Sequence, residues 1–362
     1  MSVNGADGSP RPVSIDSLHA FAKSAFLHAG LSEADAAVGA DVLVTTDAWG
    51  IFTHGTKNVK GYLRLLRAGG LRPQGKPKIV AEGPAWAIVD GDASLGMVTS
   101  VFAMQTAIAK AKTAGIAYVG VRNSSHYGAA GYYSWLAART GLIGLSMSND
   151  IPSVAAPGSR AAITGSNPLS YAVPAGKHRT VALDMSTATV AGGKVYAART
   201  RGESIPGNWL IGADGRPTTD PSGYPEVGAL QPAAAHKGYG LALLIETLAG
   251  LLTGAGVTRQ VGSWLWDDPA RATNHGAAFI AIDVNAMAPL ADFVRRTEAL
   301  VDEIHRAPRA DGVDQIRVPG EIEWEKLARA EVEGISLPSD VIASLREAAT
   351  LSGQSLEQTL GL

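Results

Sequence analysis

The chain of 362 residues contains no cysteine. That excludes disulfides, thiolate nucleophiles and cysteine-ligated zinc or iron–sulfur centres together. Charge is sparse and balanced, with 31 Lys and Arg against 33 Asp and Glu and a net charge of -2. No basic stripe or single-sign run is present, so neither nucleic acid nor a membrane is expected as a partner. No stretch approaches the ~18 consecutive apolar residues of a transmembrane helix. Residues 1–12 lack an apolar signal core and read as a short disordered tail. These absences fit a cytoplasmic protein. Motifs are missing too. No G-x-G-x-x-G joins a strand to a helix, which weighs against an ordinary Rossmann domain. A P-loop, G-x-S-x-G and H-E-x-x-H are also absent, which weakens nucleotide-hydrolase, esterase and zincin readings.

The chain is long enough for a large core and about two domains. Its 42 glycines suggest close backbone packing, many tight turns, or both. Residues 14–29 and 32–48 read as helices, the second opened by Ser32-Glu33-Ala34-Asp35. Thr53 is expected to cap a third helix, whose stripe Val59, Tyr62, Leu63, Leu66 ends at Gly69-Gly70. A β-rich stretch over 79–89 precedes an alanine-rich helix over 98–113. Strand 116–121, helix 128–140 and strand 142–148 then alternate, the signature of α/β layering with parallel pairing nearby. A strand over 181–185 and a helix over 188–201 precede a proline-rich loop region. Beyond it come an apolar helix over 238–252, a strand over 279–284 and a mainly helical, more charged C-terminal region.

Two histidines sit where chemistry is expected. His126, in Ser124-Ser125-His126-Tyr127-Gly128-Ala129-Ala130, lies where a strand hands over to a helix. Free N–H groups and a positive dipole end suit an anionic ligand there, and an imidazole exchanges protons near neutral pH. The same residues also describe a plain βα turn with a surface histidine. His54, next to Thr53, would occupy a first helical turn, where the dipole favours neutral imidazole. Thr53 would orient the ring or relay a proton. Lys57 and Asn58 follow at helical spacing, so whatever binds His54 should meet one of them. Further clusters are Ser148-Asn149-Asp150, Gly165-Ser166-Asn167-Pro168, Asp184-Met185-Ser186 and His236-Lys237-Gly238. Each is equally a rigid loop or a solvated helix start.

Taken together, H-G at 54–55, S-x-H-Y-G at 124–128, G-S-N-P at 165–168, D-M-S at 184–186, H-K-G at 236–238 and V-P-G-E at 318–321 resemble one family in order. It is the malate/L-lactate dehydrogenase family of type 2, the sulfolactate-dehydrogenase-like oxidoreductases, and the likeness spans about residues 14–335. The resemblance implies a mixed α/β sheet with helices, a non-Rossmann nicotinamide site for NAD or NADP, and a homodimer. It implies a helical unit from 13–75 and 286–362 that contributes to the substrate site, and a central cofactor-binding unit over 76–285. His54 matches the proton donor of some members and His126 that of others. Thr53 stands where a relay serine is usual. Ser166 stands where a substrate-contacting threonine is usual, and Asn149 is a second substrate candidate. Ala130, Asp184, Met185, Ser186, His236, Lys237, Gly320 and Glu321 match cofactor-contacting positions.

The expected reaction is hydride transfer between NAD(P) and a small 2-hydroxy or 2-oxo acid, with histidine handling the proton at the developing oxygen charge. A cyclic ketimine or N-alkyl imine reductase is the alternative, and a non-catalytic nicotinamide-binding protein is the alternative of another class. One departure matters. Asn58 stands where many members carry a carboxylate-binding arginine, and asparagine cannot neutralise a carboxylate. Either Lys57 supplies that charge, the preferred reading, or the substrate has no carboxylate there.

Overall fold

The computed structural model describes residues 12–362, so the expected tail lies, but for Pro12, outside the described residues. Serines open the first two helices. Ser14 accepts the Ser17 N–H at the start of α1 (Ile15–His28), and Ser32 accepts the Asp35 N–H at the start of α2 (Glu33–Ala48). Each bond satisfies a donor that the helix leaves unpaired. A short 3-10 turn, Thr56–Asn58, leads into α3 (Val59–Ala68), which buries the expected stripe of Val59, Tyr62, Leu63 and Leu66. Gly69 ends it at φ +94, a left-handed cap.

The expected Thr53 cap is not formed. The buried Asp47 carboxylate of α2 accepts both the backbone N–H and the hydroxyl of Thr56, and Gly55 occupies the N-cap position. A carboxylate acceptor is stronger than a hydroxyl, which leaves Thr53 for His54. The fit is tight, since a Cβ on Gly55 would overlap the Asp47 side chain at 1.8 Å.

The middle of the chain forms β1 (Lys78–Gly83), β2 (Trp86–Asp90), α4 (Gly96–Ala114), β3 (Ile116–Ser124), α5 (Ala130–Ala138) and β4 (Leu142–Ser148). Then come β5 (Val154–Ala155), β6 (Ala162–Thr164), β7 (Leu169–Pro174), β8 (Thr180–Met185) and α6 (Gly192–Arg201). The proline-rich region contributes three two-residue strands, β9 (Leu210–Ile211), β10 (Pro217–Thr218) and β11 (Ala229–Leu230). The apolar helix starts at α7 (His236–Ile245) and continues as π-helical turns over Glu246–Leu251. The chain ends with β12 (His275–Asp283), α8 (Val284–Met287), α9 (Leu290–Arg306), α10 (Glu321–Glu333), α11 (Ser339–Ser352) and α12 (Leu356–Leu360).

The larger sheet runs β1-β2-β3-β12-β4-β7-β8, and the smaller β10-β9-β11-β5-β6. Only β2–β3 is parallel in the larger sheet. The parallel pairing expected locally is therefore met by β2 with β3, while 116–121 and 142–148 are not direct neighbours. β12 enters between β3 and β4 and pairs antiparallel with both. Its side chains alternate as a strand requires: Ala277, Phe279 and Ala281 join the main core with α4 and α5, while Ala278 and Ile280 face Ile245 and Ala249. The main core is continuous from Val13 to Leu356, and Val13 bridges to Ile335, so the first and last described segments pack on one body. Among the described residues no helix is long and apolar enough to cross a membrane.

Candidate active site

The turn before α3 and the turn after β3 bring His54 and His126 together. Their rings lie 5.8 Å apart between centroids at 27°. Each Nδ1 meets a hydroxyl: Thr53 Oγ1 lies 2.9 Å from His54 Nδ1, and Tyr62 Oη lies 2.7 Å from His126 Nδ1. With Nδ1 engaged on both rings, the two Nε2 atoms are left for chemistry. The Trp264 indole stacks on His126 at 4.2 Å and 20°, and on Tyr62 at 5.6 Å and 10°. Gly61 makes room for it, since a Cβ there would stand 3.2 Å from the indole.

Burial holds both imidazoles neutral. His126 is pushed down to about 3 by desolvation first and then by the neighbouring His54, with Asp150 opposing. His54 is also lowered, by burial, again against Asp150. The helix dipole expected to act on His54 is thus replaced by desolvation. Asp150 itself lies below the usual carboxylate range. Burial works to raise it, and the hydrogen bond and charge of His275 outweigh that. His275 Nε2 lies 3.2 Å from Asp150 Oδ1, while its Nδ1 meets Thr273 Oγ1 at 2.8 Å.

The segments that carry the two histidines also reach a cavity of about 400 Å³ through Ile51 and Gly131, walled further by Trp49, Asp184, Pro319 and Trp324 among others. The start of α5, the end of β8 and the loop before α10 converge on it. Gly131 N–H donates to Asp184 Oδ2 at 2.7 Å, and Ala182 N–H donates to Pro319 O at 2.9 Å. Gly320 sits at φ +99 against β8, where a Cβ would come within 3.1 Å of the Ala182 backbone. Asp184 opens to the cleft, yet surrounding protein raises its carboxyl to about 6, with the Gly131 bond opposing and Glu323 reinforcing.

The other expected residues divide. Ala130 is the first residue of α5, buried beside Gly131. Met185 ends β8 and Ser186 follows it, its hydroxyl donating to Ser166 O at 3.1 Å and tying the 165–168 loop to the strand end. His236 and Lys237 begin α7, exposed, and Ala233 N–H donates to Thr187 O at 2.8 Å, which brings that helix start to the end of β8.

Four further expected residues make contacts within the framework. Asn149 is buried, its amide donating to Gly256 O at 2.7 Å and accepting from Gly276 N–H at 2.9 Å, which ties the end of β4 to β12. Asn58 donates to Thr53 O at 2.9 Å. Lys57 is paired with Asp340 of α11 at 2.7 Å in a solvent-exposed ion pair. Glu321 accepts the Val318 N–H at 2.9 Å and lies 2.9 Å from His305 Nε2, closing the 318–321 loop on itself.

Tyr62, Trp264, Asp150, His275, Trp49, Trp324 and Glu323 went unread as site residues. Tyr62 had a signal, since it follows His54 at helical spacing, but it was absorbed by the apolar stripe. Trp264 lies in a loop and had none. Among the described residues no group of three or more His, Asp or Glu is arranged to hold a metal ion.

The model of the family described as malate/L-lactate dehydrogenase matches residues 13–346. An L-sulfolactate dehydrogenase of Methanocaldococcus jannaschii is 37% identical across 91% of this chain and 93% of its own. A ureidoglycolate dehydrogenase (NAD(+)) of Escherichia coli K12 is 36% identical, over 91% of this chain and 93% of its own. The solved sulfolactate dehydrogenase of M. jannaschii superposes with a TM-score of 0.89 at 34% identity, over 96% of this chain and 99% of its own. A delta1-piperideine-2-carboxylate reductase of Pseudomonas syringae gives 0.83 at 29% identity, over 94% and 100%.

Proposed function

We propose, for a chain that belongs to the malate/L-lactate dehydrogenase family, that it interconverts a small 2-hydroxy acid and its 2-oxo acid, with His54 and His126 handling the proton. The protein is an oxidoreductase acting on CH–OH groups with a nicotinamide cofactor. NAD or NADP, when bound, supplies or takes the hydride. The residues present fit such a group. Gly131 and Gly320 let α5 and the 318–321 loop pack closely on Asp184 and the Ala182 backbone, which shapes the cavity walls, and Trp49, one of those walls, keeps its indole N–H without a partner among the described residues. In this reading Ala130, Asp184, Met185 and Ser186 hold the cofactor along the β8 edge, with His236, Lys237 and Gly320 flanking it, and Ser166 contacts the substrate.

The paired rings carry the reading. A hydroxyl both donates and accepts. When Tyr62 O–H donates to His126 Nδ1, Nε2–H is a donor for a carbonyl oxygen. When Nδ1–H donates to Tyr62, Nε2 is the base that takes a proton from an alcohol. Burial pushes the Tyr62 phenol far above its ordinary range, so it stays protonated in both states. Neutral imidazole suits the oxidising direction, because its lone pair is free at neutral pH.

Reduction of a C=N bond is a second reading, favoured by one observation. Asp150 bears on both rings, while Lys57 and Asn58 are engaged elsewhere, a setting kinder to an iminium cation than to a carboxylate. A homodimer in the cytoplasm belongs to the same proposal. Exposed Leu243, Leu244, Leu251 and Leu252 on α7 and its π extension support the dimer, and the helical unit of 13–75 with 286–362 would frame the site. The test is a panel of 2-hydroxy acids, 2-oxo acids, neutral ketones and cyclic imines with both cofactors, read by reduced-nicotinamide absorbance. Turnover of hydroxy acids is expected. Absence of any NADH or NADPH binding at millimolar concentration defeats the proposal.

A further inference from the structure

The cavity beside the histidines carries a choice between the two nicotinamide cofactors, an inference that rests on the oxidoreductase reading above. Ile51, three residues before His54, and Gly131, five after His126, both line it. With the reacting ring at the histidines, this space, lined from the same two turns, is where the other half of a dinucleotide can lie. A volume of about 400 Å³ is within the range of small-molecule sites. The Trp49 and Trp324 rings meet edge to face at 5.5 Å and 88°, and Pro319 and Ile322 complete an apolar wall. Such a wall suits a flat heteroaromatic base, and the unpartnered Trp49 N–H is a donor that such a base can satisfy.

The charges on the lining are unequal. Two carboxylates, Asp184 and Glu323, face one cation, Arg317. Arg317 has its charge balanced on its own loop and helix, its guanidinium lying 2.5 Å from Glu325 Oε1 with Glu321 close by. The carboxylates feel each other, since Glu323 helps to raise Asp184. Gly131 N–H fixes Asp184 Oδ2 and leaves Oδ1 to accept from a ligand. Carboxylates accept from vicinal ribose hydroxyls, the device that marks NAD sites in Rossmann domains. A 2′-phosphate carries between one and two negative charges and has no donor to offer them.

We propose that this cavity takes the adenosine half of the cofactor with its ribose unsubstituted, that the enzyme is selective for NAD(H) over NADP(H), and that Glu323, with Asp184, makes the choice. The measurement is direct binding of NADH and NADPH to the intact enzyme, followed by cofactor fluorescence. Competition by 5′-AMP and by 2′,5′-ADP probes the same space without the reacting ring. NADH is expected to bind at least about tenfold tighter than NADPH, and 5′-AMP to compete better than 2′,5′-ADP, as for removal of one like-charge contact. Glu323→Gln should narrow both ratios by about fivefold or more, chiefly by tightening the 2′-phosphorylated ligands, a gain that mere damage to the fold would not produce. Asp184→Asn should narrow them in the same direction while weakening NADH. Equal or tighter binding of NADPH by the wild-type enzyme overturns the proposal, as do ratios unmoved in both variants. Failure of both cofactors to bind removes the oxidoreductase reading itself, and the proposal with it.

Discussion

His54 and His126 present nearly parallel rings to one space, but their turns are built by opposite means. Around His54 the supports are local. Thr53 engages the ring, Asn58 holds Thr53 O, and Asp47 anchors Thr56 just beyond. Around His126 they are remote, since Tyr62 stands 64 residues away and Trp264 arrives from a loop late in the chain. A turn held by its neighbours can be tuned by one substitution. A ring held by a stack of aromatic faces is fixed by the whole fold, and desolvation drives it well below its ordinary pKa.

Removing the rings tests that contrast most severely. His126→Ala is expected to cut kcat by on the order of 10³-fold and His54→Ala by on the order of 10²-fold, the range of lost acid–base groups. Steady-state kinetics with an accepted 2-hydroxy acid decide the order, and the reverse order would make the locally held ring the principal proton group. Both imidazoles lie below their ordinary range, so the acid limb of kcat/KM in the oxidising direction should fall below pH 6. A limb at the usual histidine pKa would break the link between burial and neutrality.

The hydroxyl partners come next. Tyr62→Phe should lower kcat about tenfold and Thr53→Val only a few-fold, since one hydrogen bond contributes about 0.5–1.5 kcal/mol and the buried one is the harder to replace with water. Equal effects would erase the distinction between the two turns.

The support under His54 also titrates. Burial raises Asp47 to about 7, against the opposing bonds from Thr56. A folded-state pKa above the unfolded value means that the folded state binds more protons. The contribution is full below about pH 4 and is lost as pH rises through about 7. Stability should therefore fall from about pH 4.5 to about pH 7.5, and Asp47→Asn should flatten that trend by more than about 1 kcal/mol in denaturant titrations. An unchanged slope would show that Asp47 is ionised in the fold.

The smallest effect is assigned to Lys57. Its pair with Asp340 is solvent-exposed, so Lys57→Met should alter stability by no more than about 0.5 kcal/mol and leave KM for acids unchanged. A KM rise confined to carboxylate substrates would return Lys57 to the active site.

How much of this was legible follows from the same contrast. Short-range patterns placed both histidines, the Ser32 cap, the α3 stripe and β4, because turn chemistry and periodicity act over a few residues. The Thr53 cap was misread because a buried carboxylate nine residues upstream competes for Thr56. Asn149 looked like a ligand group, yet its amide closes β12 onto the end of β4. Lys57 could not be separated from an active cation without knowing that α11 packs on that face. Trp264 was invisible because nothing in a loop's composition says which ring it will cover. The cavity joins the end of α2 to α5, β8 and α10, which no single window contains.

The placing of β12 has a consequence for biosynthesis. The slot between β3 and β4 is filled by residues 275–283, which carry His275 to Asp150. They leave the ribosome roughly 130 residues after β4, or about 6–25 s later at about 5–20 residues per second. Throughout that interval two strands of the central sheet each lack a neighbour, an open edge of the kind that invites pairing with another chain. A nascent chain stalled before residue 275 should thus be far more aggregation-prone than the finished enzyme, and a chaperone that shields β3 and β4 would act in that interval.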